Sequence, residues 1–71
     1  MFMKKEEVEH LRKMYPKGTK IQLDYMDDLQ APPTGTKGTI NYVDDIGQIH
    51  VRWENGSGLA LNRDVDSFHK I

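Results

Sequence analysis

Apolar residues near the start of the chain recur with the spacing of a helix. Val8, Leu11 and Met14 follow one another at intervals of three, with charged residues between them, which predicts an amphipathic helix over Lys4 to Tyr15. Pro16 ends this helix, because proline disfavours the α conformation in the residue before it. So short a helix is marginal alone. We therefore expect its apolar stripe to dock on the rest of the chain, in preference to a second copy or another partner.

From Thr19 onward the apolar period changes from helical to alternating, the pattern of half-buried β-strands. On the first strand Ile21, Leu23 and Tyr25 are predicted to share one face, and on the second Ile40 and Tyr42 do so. On the third strand the residues predicted to point inward are Ile49, Val51 and Trp53. A fourth strand is predicted to begin over Leu59 to Leu61, and a last one runs from Ser67 to Ile71 around Phe68. A single 3₁₀ turn is predicted between these two, over Arg63 to Asp66.

Turn residues separate the strands. Met26 to Thr36 predicts a loop, longer than the usual connection of about 4–6 residues, and so either functional or ordered by its own contacts. Asp44 to Gly47 predicts a tight turn, and Asn55-Gly56 a two-residue type I′ hairpin. Short strands with such turns predict a mainly β fold, a small five-stranded SH3-like barrel over residues 16–71 behind a helical extension over residues 1–15.

Length and composition limit what the chain can be. With 71 residues it has room for one core, and with no cysteine it has neither disulfides nor a thiolate metal site. The first residues lack the apolar run of a signal peptide, and no apolar stretch approaches the roughly 20 residues of a membrane span. We therefore expect a soluble, cytoplasmic protein.

Charge is distributed unevenly along the chain. Residues 1–20 hold six basic and three acidic residues, whereas the remainder holds four basic and eight acidic ones, for a net charge of −1. An acidic body repels a phosphate backbone, whereas the basic first segment favours contact with one.

No pattern of catalytic chemistry is visible. Three histidines (His10, His50 and His69) show no ligand spacing and are interpreted as surface residues. The aspartates near the long loop and the second turn (Asp24, Asp27, Asp28, Asp44 and Asp45) offer oxygen ligands for a hard cation, but turn aspartates more often cap their own backbone. Nucleophile elbows and phosphate loops are missing. The sequence thus predicts no enzyme, no cofactor and no metal site.

Aromatic residues are the best candidates for a recognition surface, since SH3-type grooves hold proline-rich peptides with them. Trp53 alternates with Ile49 and Val51, which places it in the core. The predicted binding residues are therefore Tyr25 and Tyr42, together with Asp27 and Asp28 of the acidic loop.

Three longer runs of residues resemble a known family. They are Pro16 to Asp28, Pro33 to Ile40 and Val43 to Gly56, with the clusters Met-Asp-Asp, Gly-Thr-Lys-Gly, Asp-Asp-Ile-Gly and Trp-Glu-Asn-Gly. Over roughly Tyr15 to Phe68 the chain resembles an uncharacterised bacterial and phage family, the domain of unknown function 4314. The resemblance implies a bacterial or mobile-element origin and no mechanism. More loosely, the pattern Gly-x-x-Gly-x-Ile followed by Ile-x-Val-x-Trp-x-x-Gly is similar to the succession of strands and turns in SH3-like barrels, which have many different functions.

Two functions stay open at this point. The favoured one is a non-catalytic protein-interaction module, in which the acidic loop and the two tyrosines face a basic or proline-rich partner. The alternative is a nucleic-acid-associated accessory protein of a phage or mobile element. Its predicted phosphate contacts are the basic residues of the first segment: Lys4, Lys5, Arg12, Lys13, Lys17 and Lys20.

Overall fold

A computed structural model describes residues 4–71 of the chain, so the first three residues of the predicted helical extension lie outside the described part. It contains one helix and five strands: α1 Lys5–Met14, β1 Lys20–Tyr25, β2 Lys37–Val43, β3 Gln48–Trp53, β4 Leu61–Asn62 and β5 Ser67–Lys70. The predicted helix, the first three strands and the last strand are confirmed to within about two residues at each end.

All five strands belong to one antiparallel sheet in the order β4-β3-β2-β1-β5. The mainly β class is thereby confirmed. The two outer strands, β4 and β5, are not hydrogen-bonded to each other in the described chain, so the sheet is not closed. Closure into a barrel is therefore not confirmed.

The helix packs on the sheet through the first two residues of its predicted stripe. Val8 is 2% exposed and Leu11 is fully buried, and both belong to the main core. The expectation for Met14 is wrong, because this side chain is 40% exposed. Steps of three residues turn only about 300° around an α-helix, so a stripe at this spacing drifts off the contact face. Tyr15, four residues after Leu11, packs against the core instead.

The core lies between the helix and the inward face of the sheet. Its buried members are Val8, Leu11, Ile21, Leu23, Met26, Ile40, Val43, Ile49, Val51, Trp53 and Leu61. The predicted burial of Trp53 is confirmed, and its indole Nε1 donates a hydrogen bond of 2.9 Å to the carbonyl of Leu59. Gly38 allows this packing, since a Cβ there would lie 2.5 Å from Cγ1 of Val51 and 2.8 Å from Cε3 of Trp53.

Two β-bulges separate Tyr25 and Tyr42 from the apolar residues with which alternation predicts a shared face. The register of β1 against β5 shifts between Leu23 and Tyr25, and that of β2 against β3 shifts between Ile40 and Tyr42. An extra residue reverses the side on which the following side chains lie. Tyr25 and Tyr42 are consequently 55% and 54% exposed. The residue that follows each tyrosine, Met26 after β1 and Val43 at the end of β2, is buried.

The long loop from Met26 to Thr36 is ordered by its contacts with the sheet. Its return segment continues the pairing of β1, with Gly35 N donating to Leu23 O at 2.7 Å and Leu23 N donating to Thr36 O at 2.9 Å. Pro32 is also buried. Of the two explanations for the length of this loop, the structure shows ordering by its own contacts.

The connection after β3 differs from the predicted hairpin. Gly56 has φ +86°, whereas Asn55 lacks the positive φ that a type I′ turn requires. Gly56 N instead donates a hydrogen bond of 3.0 Å to Trp53 O. This bond closes a β-turn whose two central residues, Glu54 and Asn55, both have negative φ. The fourth strand accordingly begins at Leu61 and not at Leu59. The predicted turn over Arg63 to Asp66 is closed by hydrogen bonds from Val65 N and Asp66 N to Asn62 O, and it does not form a 3₁₀ helix.

Candidate functional site

The outward face of the sheet carries a polar row that crosses its three central strands. Lys20 of β1 lies opposite Thr39 of β2, which in turn lies opposite Arg52 of β3. Residues directly opposite in an antiparallel pair share one face of the sheet. The Lys20 ammonium donates a hydrogen bond of 2.7 Å to the Thr39 hydroxyl. Two cationic side chains therefore flank a hydroxyl on one surface.

A groove of about 510 Å³ lies over this row. Its lining comprises Lys17, Gly18, Lys20, Thr39, Ile40, Asn41, Arg52, Trp53 and Glu54. Ile40 and Trp53 are almost completely buried, and the solvent-exposed part of the lining is about equally polar and apolar. Three lining residues are basic and one is acidic. The groove therefore carries a positive charge although the chain as a whole is slightly acidic.

Among residues 4–71, no carboxylate forms an ion pair with the basic residues of the groove. Within residues 4–71, the lysine and arginine ion pairs are those of Arg12 with Asp45 and of Arg63 with Glu7 and Asp64. None involves Lys17, Lys20 or Arg52. These three charges are accordingly available to an anion from solution.

Beside the groove, Tyr42 stacks on His50. The ring centroids are 4.3 Å apart and the planes are inclined by 10°. His50 is held in turn by Asp44, whose Oδ2 lies 2.9 Å from the imidazole Nε2. The other carboxylate oxygen of Asp44 accepts hydrogen bonds from the backbone N–H groups of Ile46 and Gln48. The turn between β2 and β3 thus fixes the histidine under the tyrosine.

These contacts also set the protonation of the Asp44 carboxyl. Partial burial raises its pKa, but the hydrogen bonds from His50, Gln48 and Ile46 together lower the pKa by more than burial raises it. The pKa therefore lies below its ordinary value of 3.8. The carboxylate is therefore ionised at neutral pH and keeps its contact with the imidazole.

The four predicted binding residues do not form one site. Tyr25, Asp27 and Asp28 lie beyond the start of β2, since Gln22 already pairs with Lys37. Tyr42 lies near the opposite end of β2, where it pairs with His50. At about 3.3 Å per residue, Tyr42 is roughly 20 Å from Tyr25 along the strands. An acidic patch that includes both tyrosines is therefore not formed.

The aspartates weighed as cation ligands are likewise separated, and their contacts are structural. Asp28 accepts a hydrogen bond from Gln30 N, as expected of a turn aspartate, and Asp45 pairs with Arg12. Asp24 lies 2.9 Å from the Nδ1 of His69. In the part of the chain that the structure describes, no cluster of three or more potential metal ligands forms.

The six basic residues of the first segment are also divided. Lys17 and Lys20 line the groove, whereas Arg12 contacts Asp45 and the carbonyl of Val43. Lys13 is exposed on the helix and does not line the groove.

Sequence reasoning missed Arg52, Thr39 and Asn41 as site residues. The alternation of β3 already placed Arg52 on the outward face, opposite in side to Val51 and Trp53. What was lacking was the strand register, which brings Arg52 across β2 to Lys20.

The fold and groove define a small antiparallel β-sheet domain with one packed helix and a basic groove on its outward face. The chain belongs to the family described as Domain of unknown function (DUF4314), whose model matches residues 4–71. This match confirms the resemblance and extends it from Tyr15 back across the helix. No curated protein and no solved structure matches the chain. The described residues include no helix of the length and apolarity that a membrane span requires.

Proposed function

We propose that this protein is a non-catalytic nucleic-acid-binding module whose groove holds the phosphate backbone of its ligand. The observation that carries the proposal is the convergence of Lys17, Lys20 and Arg52, all without a carboxylate partner, on one groove. This favours the alternative of the two functions over the protein-interaction module.

Phosphate is the chemistry that such a groove accommodates. Ammonium and guanidinium groups form charge-assisted hydrogen bonds with phosphate oxygens, and the hydroxyl and amide of Thr39 and Asn41 add uncharged donors. Because these groups extend across β1, β2 and β3, they match a ligand with several successive negative charges better than a single small anion. The net negative charge of residues 21–71 lowers nonspecific attraction of the protein to nucleic acid, so the groove supplies most of the affinity.

Salt dependence tests this assignment. A fluorescently labelled single-stranded oligonucleotide is titrated with the full chain, and the binding constant is measured at several salt concentrations. Each phosphate contact contributes about 0.7 to the slope of log K against log salt for a single strand. We expect Lys20→Gln and Arg52→Gln each to lower the slope by about that amount.

The matched control is Lys13→Gln, which removes the same charge from the helix outside the groove. We expect the slope of this variant to equal that of the wild type. Equal slopes for all three variants, or no binding of the wild type at low salt, would show that the groove is not a phosphate site.

A protein-interaction role is the second candidate, and exposed apolar side chains at the other end of the sheet favour it. Leu29 is fully exposed at the tip of the long loop, and Tyr25 and Val65 are more than half exposed. The loop and the turn of Val65 meet where Asp66 Oδ1 accepts a hydrogen bond from Asp27 N. Aspartates are close to these apolar residues in the chain (Asp27, Asp28, Asp64 and Asp66), so a basic or proline-rich peptide is the partner that we consider. Titration with a basic, proline-rich peptide tests this role, and Leu29→Ser is expected to weaken binding.

The finer parts of the sequence interpretation belong to this proposal. An SH3-like architecture is supported by the strand order, in which β1 lies between β5 and β2. A phage or mobile-element origin and a cytoplasmic location remain predictions from the sequence.

A further inference from the structure

We infer that the groove selects single-stranded over double-stranded nucleic acid, because Tyr42 provides a platform on which an unpaired base stacks. The inference rests on the proposed function and names the class of ligand.

The tyrosine lies where a base attached to a groove-bound backbone would reach it. Asn41, the residue before Tyr42, lines the groove. His50, which pairs with Tyr42, lies two residues before Arg52 on the same outward face of β3. Aromatic ring and phosphate-binding cation are therefore neighbours on one surface.

The ring is also held in place with one face covered. His50 stacks against it at 4.3 Å and 10°, while 54% of the tyrosine surface remains exposed. The contact of Asp44 with the imidazole fixes the histidine, and the β-bulge turns the tyrosine outward. A ring that is already ordered loses little conformational freedom when a base stacks on its open face.

Stacking distinguishes the two forms of nucleic acid. In a duplex the faces of internal bases are covered by their neighbours, whereas a single strand can place a base on an aromatic ring. The phosphates are available in both forms. The cations of the groove therefore supply affinity for either ligand, and Tyr42 supplies the difference between them.

The experiment compares a labelled oligothymidylate with a duplex of the same length, at one salt concentration, against wild type, Tyr42→Ala and Tyr42→Phe. The wild type is expected to prefer the single strand, and Tyr42→Ala is expected to lose between about fivefold and a hundredfold in single-strand affinity. Affinity for the duplex should not change. Tyr42→Phe, which keeps the stacking face, should retain the preference. Circular dichroism establishes that each variant is folded.

A measurement on the wild type covers the case in which Tyr42→Ala does not fold. Ring protons of Tyr42 should shift upfield in NMR spectra when the oligothymidylate binds, and should not shift with the duplex. Equal affinity of the wild type for both ligands, or an unchanged preference in Tyr42→Ala, overturns the inference but leaves the phosphate groove intact. Failure of the wild type to bind either ligand at low salt overturns the proposed function as well.

Discussion

Trp53 offers the most direct test of the packing. Its side chain is 2% exposed and occupies the position next to Gly38 where a Cβ would otherwise lie. Its indole N–H donates a hydrogen bond to Leu59 O. Replacement by alanine removes the largest side chain of the core and leaves a cavity between the sheet and the loop after β3. We expect the free energy of unfolding to fall by about 3–5 kcal/mol.

The size of the domain makes this loss decisive. A chain of 71 residues has a total stability of about 4–11 kcal/mol at the usual contribution per residue. At the lower end of this range Trp53→Ala is expected to be largely unfolded in buffer, and at the upper end it stays folded with a much lower unfolding midpoint. Trp53→Phe is the matched control, because it keeps an aromatic ring in the core and loses only part of the buried volume together with one hydrogen bond, worth about 1 kcal/mol.

Urea unfolding followed by far-UV circular dichroism measures both variants, since the chain has one tryptophan and each substitution removes its fluorescence. With a slope of about 1 kcal/mol per molar urea, a loss of about 3 kcal/mol lowers the midpoint by about 3 M. A Trp53→Ala variant with the wild-type midpoint would refute the core assignment. A folded variant that has lost ligand binding would show that Trp53 is a surface anchor.

Two further predictions concern the turns. Gly56 has φ +86° and open space around the position of a Cβ, so Gly56→Ala should lower the free energy of unfolding by about 1–2 kcal/mol through backbone strain alone. Gly58→Ala, with equal space and no positive φ, is the control for urea unfolding, and equal losses in both would contradict the strain argument. Because the folded pKa of Asp44 is depressed, its carboxylate stabilises the fold above the ordinary value of 3.8, and this contribution is lost as the pH falls through the folded pKa. Asp44→Asn should therefore be less stable than wild type at neutral pH and approach it in strong acid, and a difference independent of pH in urea titrations would contradict this.

Much of the fold is predictable from the chain itself, because the spacing of apolar residues over a few positions indicates both the secondary structure and the buried face. The alternation through Ile49, Val51 and Trp53 predicts an inward face, and burial of all three confirms it. Pro16 and the early apolar stripe likewise predict the helix and its end. Each of these inferences needs only neighbours a few residues apart.

The site depends on relations that no local pattern contains. Bulges after Leu23 and Ile40 turn Tyr25 and Tyr42 to solvent, because one extra residue in a strand moves the side chains that follow it to the opposite face of the sheet. The same limit applies to the turn at Asn55-Gly56. The local sequence predicts a two-residue hairpin, whereas the structure has a longer connection in which Leu59 O accepts a hydrogen bond from the Trp53 indole.

The basic groove shows the division most clearly. Sequence by itself determined that Lys20 and Arg52 face outward, since each alternates with buried neighbours on its own strand. Only the tertiary structure decided that they meet across Thr39, because strand register is a property of paired strands and joins residues far apart in the chain. The packing of the helix likewise left Arg12 occupied by Asp45, whereas Lys17 and Lys20 remained available at the groove.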